Sequence, residues 1–302
     1  MVKTDYKVQK RILMKLKQRN RRLDNLVFEL KSNKQAMFAL VYVLIIVLIS
    51  IFVIFINIDP NAIDVTGSLK APSAMHWFGT DDIGRDYFIR VLYGGRVSLA
   101  VGVLAMFTSI FIGILIGMIS GYFGGIVDSI LMRAVDVLSA IPWIVMVMVV
   151  GMVFGRGFIS LILVIGLLSW MEIARLVRSE VLSIKERDYV KYAEFIGISP
   201  WKVMYSHILP AVLPTMITAS TAAIASSIMV ESALSFLGRG IAAPMSSWGS
   251  LLQNAQKFLQ KAPYMAVIPG ILIILTVFSF NKLGEVLRVF AEPAVMSGEK
   301  DV

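Results

Sequence analysis

From Gln35 to Ile58 the chain contains no charged residue. A membrane-crossing helix needs about 20 apolar residues to pass a hydrocarbon core of about 30 Å, and this stretch is long enough. Eleven Lys and Arg residues lie between Lys3 and Lys34, directly before it, a pattern typical of a segment kept in the cytoplasm. We therefore predict a retained anchor, because the basic lead and the apolar run are both too long for a cleaved signal peptide.

Further apolar runs predict about five more crossings, the shorter ones with flanking residues. Of the 302 residues, 57% are hydrophobic and 16% are charged, whereas soluble domains carry about a quarter charged residues. The sequence thus predicts an all-α polytopic membrane protein with about six transmembrane helices. The additional runs are Val97–Val127, Val137–Phe154, Phe158–Met171, Ile208–Val230 and Tyr264–Phe280.

The charges between the runs predict the topology. The segment Glu172–His207 carries six Lys or Arg residues, whereas Asp59–Arg96 carries four against five acidic residues. By the positive-inside rule, both termini and the first of these segments are expected in the cytoplasm. The predicted regions are a basic arm (1–35), a first helix (36–58), an external loop (59–96), a core of five helices (97–290) with a cytoplasmic loop at 172–207, and a tail (291–302).

The basic arm contains Leu23, Leu26, Val27 and Leu30 at helical spacing among Lys and Arg residues. This pattern predicts an amphipathic helix lying along the inner membrane surface. Binding to nucleic acid is the alternative, but the arm has only two aromatic residues, Tyr6 and Phe28, among its basic ones.

Two features inside the apolar runs have structural interpretations. Gly113, Gly117 and Gly121 recur every four residues and predict close packing of two helices, with a glycine-lined pore wall as the alternative. Pro142 and Pro269 lie within two of the runs and predict kinks that local packing tolerates.

The residues that usually hold metals or perform catalysis are scarce. The chain has no cysteine, and its two histidines, His76 and His207, are far apart, so no metal site or cofactor site is expected. An intramembrane hydrolase would need paired catalytic groups or the H-E-x-x-H pattern, and the sequence has neither. An ion-coupled secondary transporter would need ionisable residues in the span interiors. No span interior in this sequence holds a clear candidate.

Acidic residues at the ends of the runs have simpler explanations. We predict that Glu172 and Glu231 end two spans and are solvated there, with a functional role as the alternative. In the segment "GTDDIGRD" we expect Arg85 to pair with an aspartate, a structural role. Its carboxylates do not have the spacing of an EF-hand calcium loop, and a docking surface is the alternative. These carboxylates are Asp81, Asp82 and Asp86.

The polar hairpin, residues Asp188–Pro210, lies between two apolar runs. Tyr189, Tyr192, Ala193 and Ile196 are spaced to share one face of a short helix, and Arg187, Lys191 and Glu194 occupy its other sides. Asp188 is the predicted N-cap, and Gly197 is predicted to end the helix in a left-handed conformation. Ser199-Pro200 then predicts the start of a second helix. An ordinary loop folded against the membrane is the alternative to a helix displayed for a partner.

The polar hairpin resembles the cytoplasmic EAA loop of ATP-binding cassette (ABC) importer permeases, whose pattern is E-A-A, three residues, G, nine residues, I-x-L-P. Lys191-Tyr192-Ala193 align with E-A-A, Gly197 with the glycine, and His207 to Pro210 with the ending. Lys191, Tyr192 and His207 depart from the pattern. The segments that further resemble the second pore subunit of the dipeptide, oligopeptide and nickel permeases are His76–Leu99, Ala174–Val190, Glu231–Leu252 and Asn281–Arg288.

This resemblance implies a pore subunit that pairs with a similar second permease in a prokaryotic cell membrane. Two cytoplasmic ATPase subunits would bind ATP and Mg²⁺, since this chain lacks a G-x-x-x-x-G-K-[ST] phosphate loop. An external binding protein would deliver oligopeptides or dipeptides, with nickel as the alternative cargo. The residues expected to couple to the ATPases are Asp188, Tyr189, Lys191, Tyr192, Ala193, Glu194, Ile196, Gly197 and Pro200.

Overall fold

The computed structural model describes residues 30–55 and 58–291, and the named elements within them are all helical. The predicted amphipathic helix of the basic arm lies outside the described residues, apart from Leu30. In chain order the α-helices are α1 (Lys34–Phe52), α2 (Tyr87–Phe123), α3 (Gly125–Ser139), α4 (Trp143–Phe154), α5 (Phe158–Lys185), α6 (Asp188–Phe195), α7 (Pro200–Val203), α8 (Leu209–Phe236), α9 (Trp248–Ala255) and α10 (Tyr264–Ala291).

The prediction of about six crossings is confirmed. Five helical stretches in the described part of the chain are long and apolar enough to cross a membrane, and α3 with α4 makes a sixth if that pair is one span. The five are Lys34–Phe55, Tyr87–Phe123, Phe158–Lys185, Pro200–Phe236 and Tyr264–Arg288.

The predicted crossing Val137–Phe154 is wrong as a single helix. Helix α3 ends at Ser139 and α4 begins at Trp143, and the two helices meet at 91°. Pro142 is the N-cap residue of α4. A proline has no N–H group to donate and disfavours helical geometry in the residue before it. The expected kink is therefore a break.

The bundle has two distinct ends. At the loop end, residues 58–86 and 237–263 cover the helices, and the Tyr264 hydroxyl lies 2.9 Å from the Lys70 carbonyl oxygen and 2.7 Å from that of Thr80. At the hairpin end, α2 and α5 terminate and the polar hairpin follows. The Lys185 ammonium donates to the Tyr122 carbonyl oxygen there, at 2.6 Å.

Helices α2 and α5 pack with their backbones unusually close. A β-carbon placed on Gly113 would lie 2.5 Å from the Ile173 side chain, and one on Gly121 would lie 2.8 Å from the Val181 side chain. Larger side chains would force the helices apart. The glycine stripe therefore lies at a helix contact, as the sequence predicts, and not along an open wall.

A buried aspartate organises the turn before α2. Asp81 accepts hydrogen bonds from the backbone N–H groups of Ile83 and Arg85, and its Oδ2 lies 2.6 Å from the Arg85 Nε. The Arg90 Nε, also buried, lies 3.5 Å from the same oxygen. Asp86 caps α2 through the Ile89 N–H at 3.1 Å. These contacts give the acidic segment the structural role expected of it.

Candidate functional site

The polar hairpin forms a helix, a glycine turn and a second helix that runs into the membrane. Helix α6 ends at Phe195, α7 begins at Pro200, and a π-helical turn (Met204–Ile208) joins α7 to α8. In that turn the Leu209 N–H bonds to the Met204 carbonyl oxygen, five residues back. Pro210, which follows, has no N–H group to continue a regular α-helix through this point.

The glycine turn has the geometry that the sequence predicts. Gly197 has a φ of +80°, in the left-handed region. Its N–H group bonds to the Glu194 carbonyl oxygen at 3.0 Å, and the Ile198 N–H bonds to that of Ala193 at 3.1 Å. This pair of bonds is a Schellman motif, which satisfies the last carbonyl groups of α6.

The start of α6 differs from the prediction. Arg187, not Asp188, is the N-cap residue, because the Arg187 carbonyl oxygen already accepts the N–H groups of Val190 and Lys191. Asp188 is the first residue of the helix, where its negative charge is favourable near the N-terminal end of the helix dipole. Ser199 and Pro200 occupy the predicted N-cap and first helical positions of α7.

One side of α6 is buried within this chain. Val190 and Ala193 pack in a cluster with Ile184 at the end of α5 and with Val203 and Ile208 before α8. Ala193 is 2% exposed. The expectation that the Ala193 side chain faces a partner together with the tyrosines is therefore wrong, because this side chain attaches α6 to the bundle.

The opposite side of α6 displays large apolar side chains. Phe195 is 88% exposed and Tyr192 is 66% exposed. Trp201 of α7 extends this surface and packs edge-on against Phe123 at 5.8 Å between ring centroids. An exposed apolar patch of this kind is typical of an interaction site. We call it the hairpin patch, and it consists of Tyr189, Tyr192, Phe195, Ile196, Trp201 and Tyr205.

Three residues of the hairpin patch are absent from the prediction made from sequence. Phe195, Trp201 and Tyr205 were not among the expected coupling residues, although each is a large aromatic side chain in a segment rich in charge. The sequence signal for these three residues is that each is aromatic and that helical periodicity places none of them on a buried face. Of the expected residues, Tyr189, Tyr192 and Ile196 do lie in the patch.

Charged residues border α6. The Lys191 ammonium lies 2.8 Å from a carboxylate oxygen of Glu186. This hydrogen bond lowers the pKa of Glu186 and raises the pKa of Lys191 from their ordinary values. Both groups are exposed, so water screens the pair and it contributes little to stability. Glu194 lies on the same helix beside the buried Ala193.

The base of the hairpin is held by stronger contacts. The Arg178 guanidinium of α5 donates two hydrogen bonds to the Asp128 carboxylate of α3, at 2.5 and 2.6 Å. The Ser120 hydroxyl of α2 also donates to Asp128. Three helices are thereby joined where the polar hairpin begins. Sequence reasoning missed this link, because 50 residues separate the two charges.

The two glutamates predicted at span ends have different environments. Glu172 lies within α5 and is exposed in this chain. Glu231 lies within α8 and is 0% exposed, so the prediction that it is solvated is wrong. Its carboxyl group accepts hydrogen bonds from serine hydroxyls of α2 and α8.

Across the described residues, no cluster of three or more His, Cys, Asp or Glu side chains could hold a metal ion. The helices and the hairpin patch instead define a class of protein. The chain is a multi-pass α-helical membrane protein that presents an apolar surface at one end of its bundle.

Comparisons with known proteins give the family. The chain matches the family described as "Binding-protein-dependent transport system inner membrane component" over residues 113–296. Residues 26–72 match the "N-terminal TM domain of oligopeptide transport permease C". The chain therefore belongs to the family of binding-protein-dependent inner membrane transport components, the permease subunits of ABC importers. Its members are transport subunits and not enzymes.

Individual relatives are similar over most of their length. The oligopeptide transport system permease protein OppC of Bacillus subtilis is 35% identical over 87% of each chain. The dipeptide transport system permease protein DppC of Alkalihalophilus pseudofirmus is 35% identical over 89% of each chain. The glutathione transport system permease protein GsiD of Escherichia coli O157:H7 is 38% identical over 88% of each chain.

Proposed function

We propose that this chain is one of two pore-forming subunits of an ATP-driven importer of peptides, and that the hairpin patch receives the motion of its ATPase subunits. The observation that carries this proposal is the two-sided helix α6. One side is anchored by Val190 and Ala193, and the other side displays Tyr192 and Phe195. A short helix with a free apolar side fits the groove of a partner.

The anchoring side explains how motion passes into the membrane. The cluster around Val190 contains side chains from the end of α5 and from the segment before α8. Closely packed side chains move together instead of deforming continuously. A displacement of α6 by an ATPase therefore moves α5 and α8 as levers.

The cargo class is proposed from the relatives. The three named above are permeases of oligopeptide, dipeptide and glutathione transport systems. Among possible cargoes we propose oligopeptides and dipeptides first. The distribution of Lys and Arg supports an orientation with both termini and the polar hairpin in the cytoplasm of a prokaryotic cell.

The remaining partners follow from this function. A second, homologous permease completes the pore, and a binding protein outside the membrane delivers peptide to the loop end. Two ATPase subunits bind ATP and Mg²⁺ and close on each other beneath the polar hairpins. The coupling residues in this proposal are those of the hairpin patch, with Asp188, Lys191, Glu194, Gly197 and Pro200 around them and Ala193 as their anchor.

The test is co-purification in mild detergent of the chain expressed with its native neighbours, with mass spectrometry of the bound proteins. We expect a second permease and ATPase subunits. Trp201→Asp and Phe195→Asp are expected to lose the ATPases. Trp77→Asp is the matched control, because Trp77 at the loop end is 66% exposed and Trp201 is 64% exposed.

Two results would contradict the proposal. One is a chain recovered alone or as a homo-oligomer even after crosslinking, which would indicate a self-contained transporter. The other is retention of the ATPases by both hairpin variants to the same extent as by Trp77→Asp.

A further inference from the structure

Glu231 is a fully buried acidic residue in the part of α8 that approaches the loop end. A carboxyl group is kept at such a depth only where hydrogen bonds replace its contacts with water. No metal-ligating cluster accompanies it among the described residues. Its polar contacts come from serine side chains, those of Ser98, Ser232 and Ser235 and that of Ser247 just before α9.

Both carboxyl oxygens of Glu231 accept hydrogen bonds. The Ser235 hydroxyl of α8 donates to Oε1 at 2.7 Å, and the Ser98 hydroxyl of α2 donates to Oε2 at 2.9 Å. The hydroxyl of Ser232 is more distant, at 3.5 Å from Oε2.

Ser98 and Ser235 each connect Glu231 to residues 237–255, which we call the loop-end segment. The Trp248 N–H donates to the Ser98 hydroxyl oxygen at 3.1 Å. The Ile241 N–H donates to the Ser235 hydroxyl oxygen at 3.2 Å. A serine hydroxyl has a single hydrogen, and it points at Glu231 in both cases. Two relays therefore run from the carboxyl group to the backbone of the loop-end segment.

The loop-end segment packs tightly around these relays. The Trp248 indole N–H donates to the Val91 carbonyl oxygen at 3.1 Å, and a β-carbon on Gly95 would lie 2.8 Å from the Trp248 ring. A β-carbon on Gly249 would lie 2.6 Å from the Ser232 Cα. Helix α9 thus lies directly on α2 and α8, and Glu231 is in the middle of the contact.

Helix α8 also reaches the opposite end of the bundle. The helical stretch Pro200–Phe236 is continuous from the hairpin patch to the residues around Glu231. A movement received at the polar hairpin therefore arrives at Glu231 along one element. The relays are the polar bonds by which that element holds α2 and the loop-end segment.

We propose that Glu231 is a positioning residue for transport, the joint that makes α8, α2 and the loop-end segment move as one body. The transmission step rests on the proposed function. With the joint intact, displacement of α8 shifts the loop-end segment, which faces the external binding protein. Without it, α8 moves while the loop-end segment opens locally and lags behind.

The first measurement is the reactivity of a single introduced thiol. The natural chain has no cysteine, and Ala255 at the end of α9 is fully buried, so Ala255→Cys places one shielded thiol in this chain, within the loop-end segment. The assembled complex in proteoliposomes is exposed to a membrane-impermeant maleimide. In this background Glu231→Ala is expected to raise the labelling rate of this chain by about tenfold or more, because the segment opens more often.

The serines supply the matched controls. Ser98→Ala and Ser235→Ala each remove one relay and are expected to raise the labelling rate, whereas Ser232→Ala removes a hydroxyl on the same carboxyl group that carries no relay. Glu231→Gln is expected to be intermediate, because its amide group can accept at one end only. If Glu231→Ala does not assemble, the two relay variants carry the test.

The second measurement is peptide uptake per ATP hydrolysed in the same vesicles. We expect this ratio to fall at least severalfold in the relay variants with the hydrolysis rate unchanged, and to stay constant in Ser232→Ala. Equal labelling rates in Ser98→Ala, Ser235→Ala and Ser232→Ala would show that Glu231 does not hold the loop-end segment through the relays. Raised labelling with an unchanged ratio of uptake to ATP hydrolysis would show that this contact has no role in transmission. The labelling requires neither added peptide nor ATP hydrolysis, so it stands even if the proposed function fails.

Discussion

Gly117 of α2 lies so close to Ala174 of α5 that a β-carbon on Gly117 would be 2.6 Å from the Ala174 carbonyl oxygen. Real β-carbons do not approach backbone oxygens so closely, so the helices meet in van der Waals contact along their backbones. In a membrane, where lipid competes for apolar side chains, such close backbone packing is a main source of helix association.

The first prediction concerns this contact. Gly117→Val should lower the free energy of unfolding by about 1–3 kcal/mol, because the helices must separate to admit the side chain. Gly270→Val in α10 is the control, since a β-carbon on Gly270 would have no described atom within 4 Å beyond its chain neighbours and the backbone of its own helix. Thermal unfolding of the purified chain in detergent measures both. Equal loss in the two variants would show that valine itself, and not the contact, is responsible.

The second prediction compares two arginines of α5. Arg178→Ala should destabilise the chain by about 2–3 kcal/mol, because it leaves the partly buried Asp128 without its two charged hydrogen bonds. Arg175→Ala should cost less than about 1 kcal/mol, since Arg175 and Asp136 form an exposed pair at 3.2 Å. Chemical unfolding in mixed micelles measures both losses of stability. Similar losses in the two variants would contradict the prediction that Arg178 contributes more than Arg175.

The third prediction concerns the glycine turn of the polar hairpin. Gly197→Val should leave the chain in the membrane and abolish most peptide uptake, because a β-branched residue at a φ of +80° disfavours the turn by about 1–2 kcal/mol and re-aims α6. Gly197→Asn should retain uptake, since asparagine tolerates the left-handed region. Uptake and ATP hydrolysis are measured in proteoliposomes. Normal uptake by the valine variant would contradict coupling through α6.

The fourth prediction concerns the loop end. Asp81→Ala should destabilise the chain by about 3 kcal/mol, because it leaves two backbone N–H groups and two arginine side chains without their buried acceptor. Asp82→Ala should change the stability of the chain little, because Asp82 is more exposed and its Oδ1 lies 3.9 Å from the Arg85 guanidinium. Limited proteolysis at residues 58–86 reports the result, and equal cleavage of the two variants would reject it.

Features set by local chemistry were predictable from the sequence. Uncharged runs long enough for a bilayer gave the number of crossings, and the spacing of Gly113, Gly117 and Gly121 located a helix contact. Gly197 followed from the left-handed geometry that ends many helices. Each depends on residues near one another in the chain.

Features set by distant partners were not predictable. The sequence predicts a solvated Glu231 because this residue follows an apolar run, but Ser98, far away in sequence, provides one of its hydrogen bonds. Helical periodicity groups Ala193 with the tyrosines of α6, but it does not show which side of the helix another part of the chain covers. Val203 and Ile208, which bury that face, belong to the next helices.

The bend between α3 and α4 has a consequence for where water enters the membrane. The helices have 15 and 12 residues, so at about 1.5 Å per residue neither arm crosses the hydrocarbon core alone. If α3 and α4 together form one span, the bend lies at membrane depth, where it leaves carbonyl groups of one arm and N–H groups of the other without helical partners. Lipid cannot hydrogen-bond to them. In that arrangement this side of the subunit has to be wetted by an aqueous passage or sealed by another polypeptide.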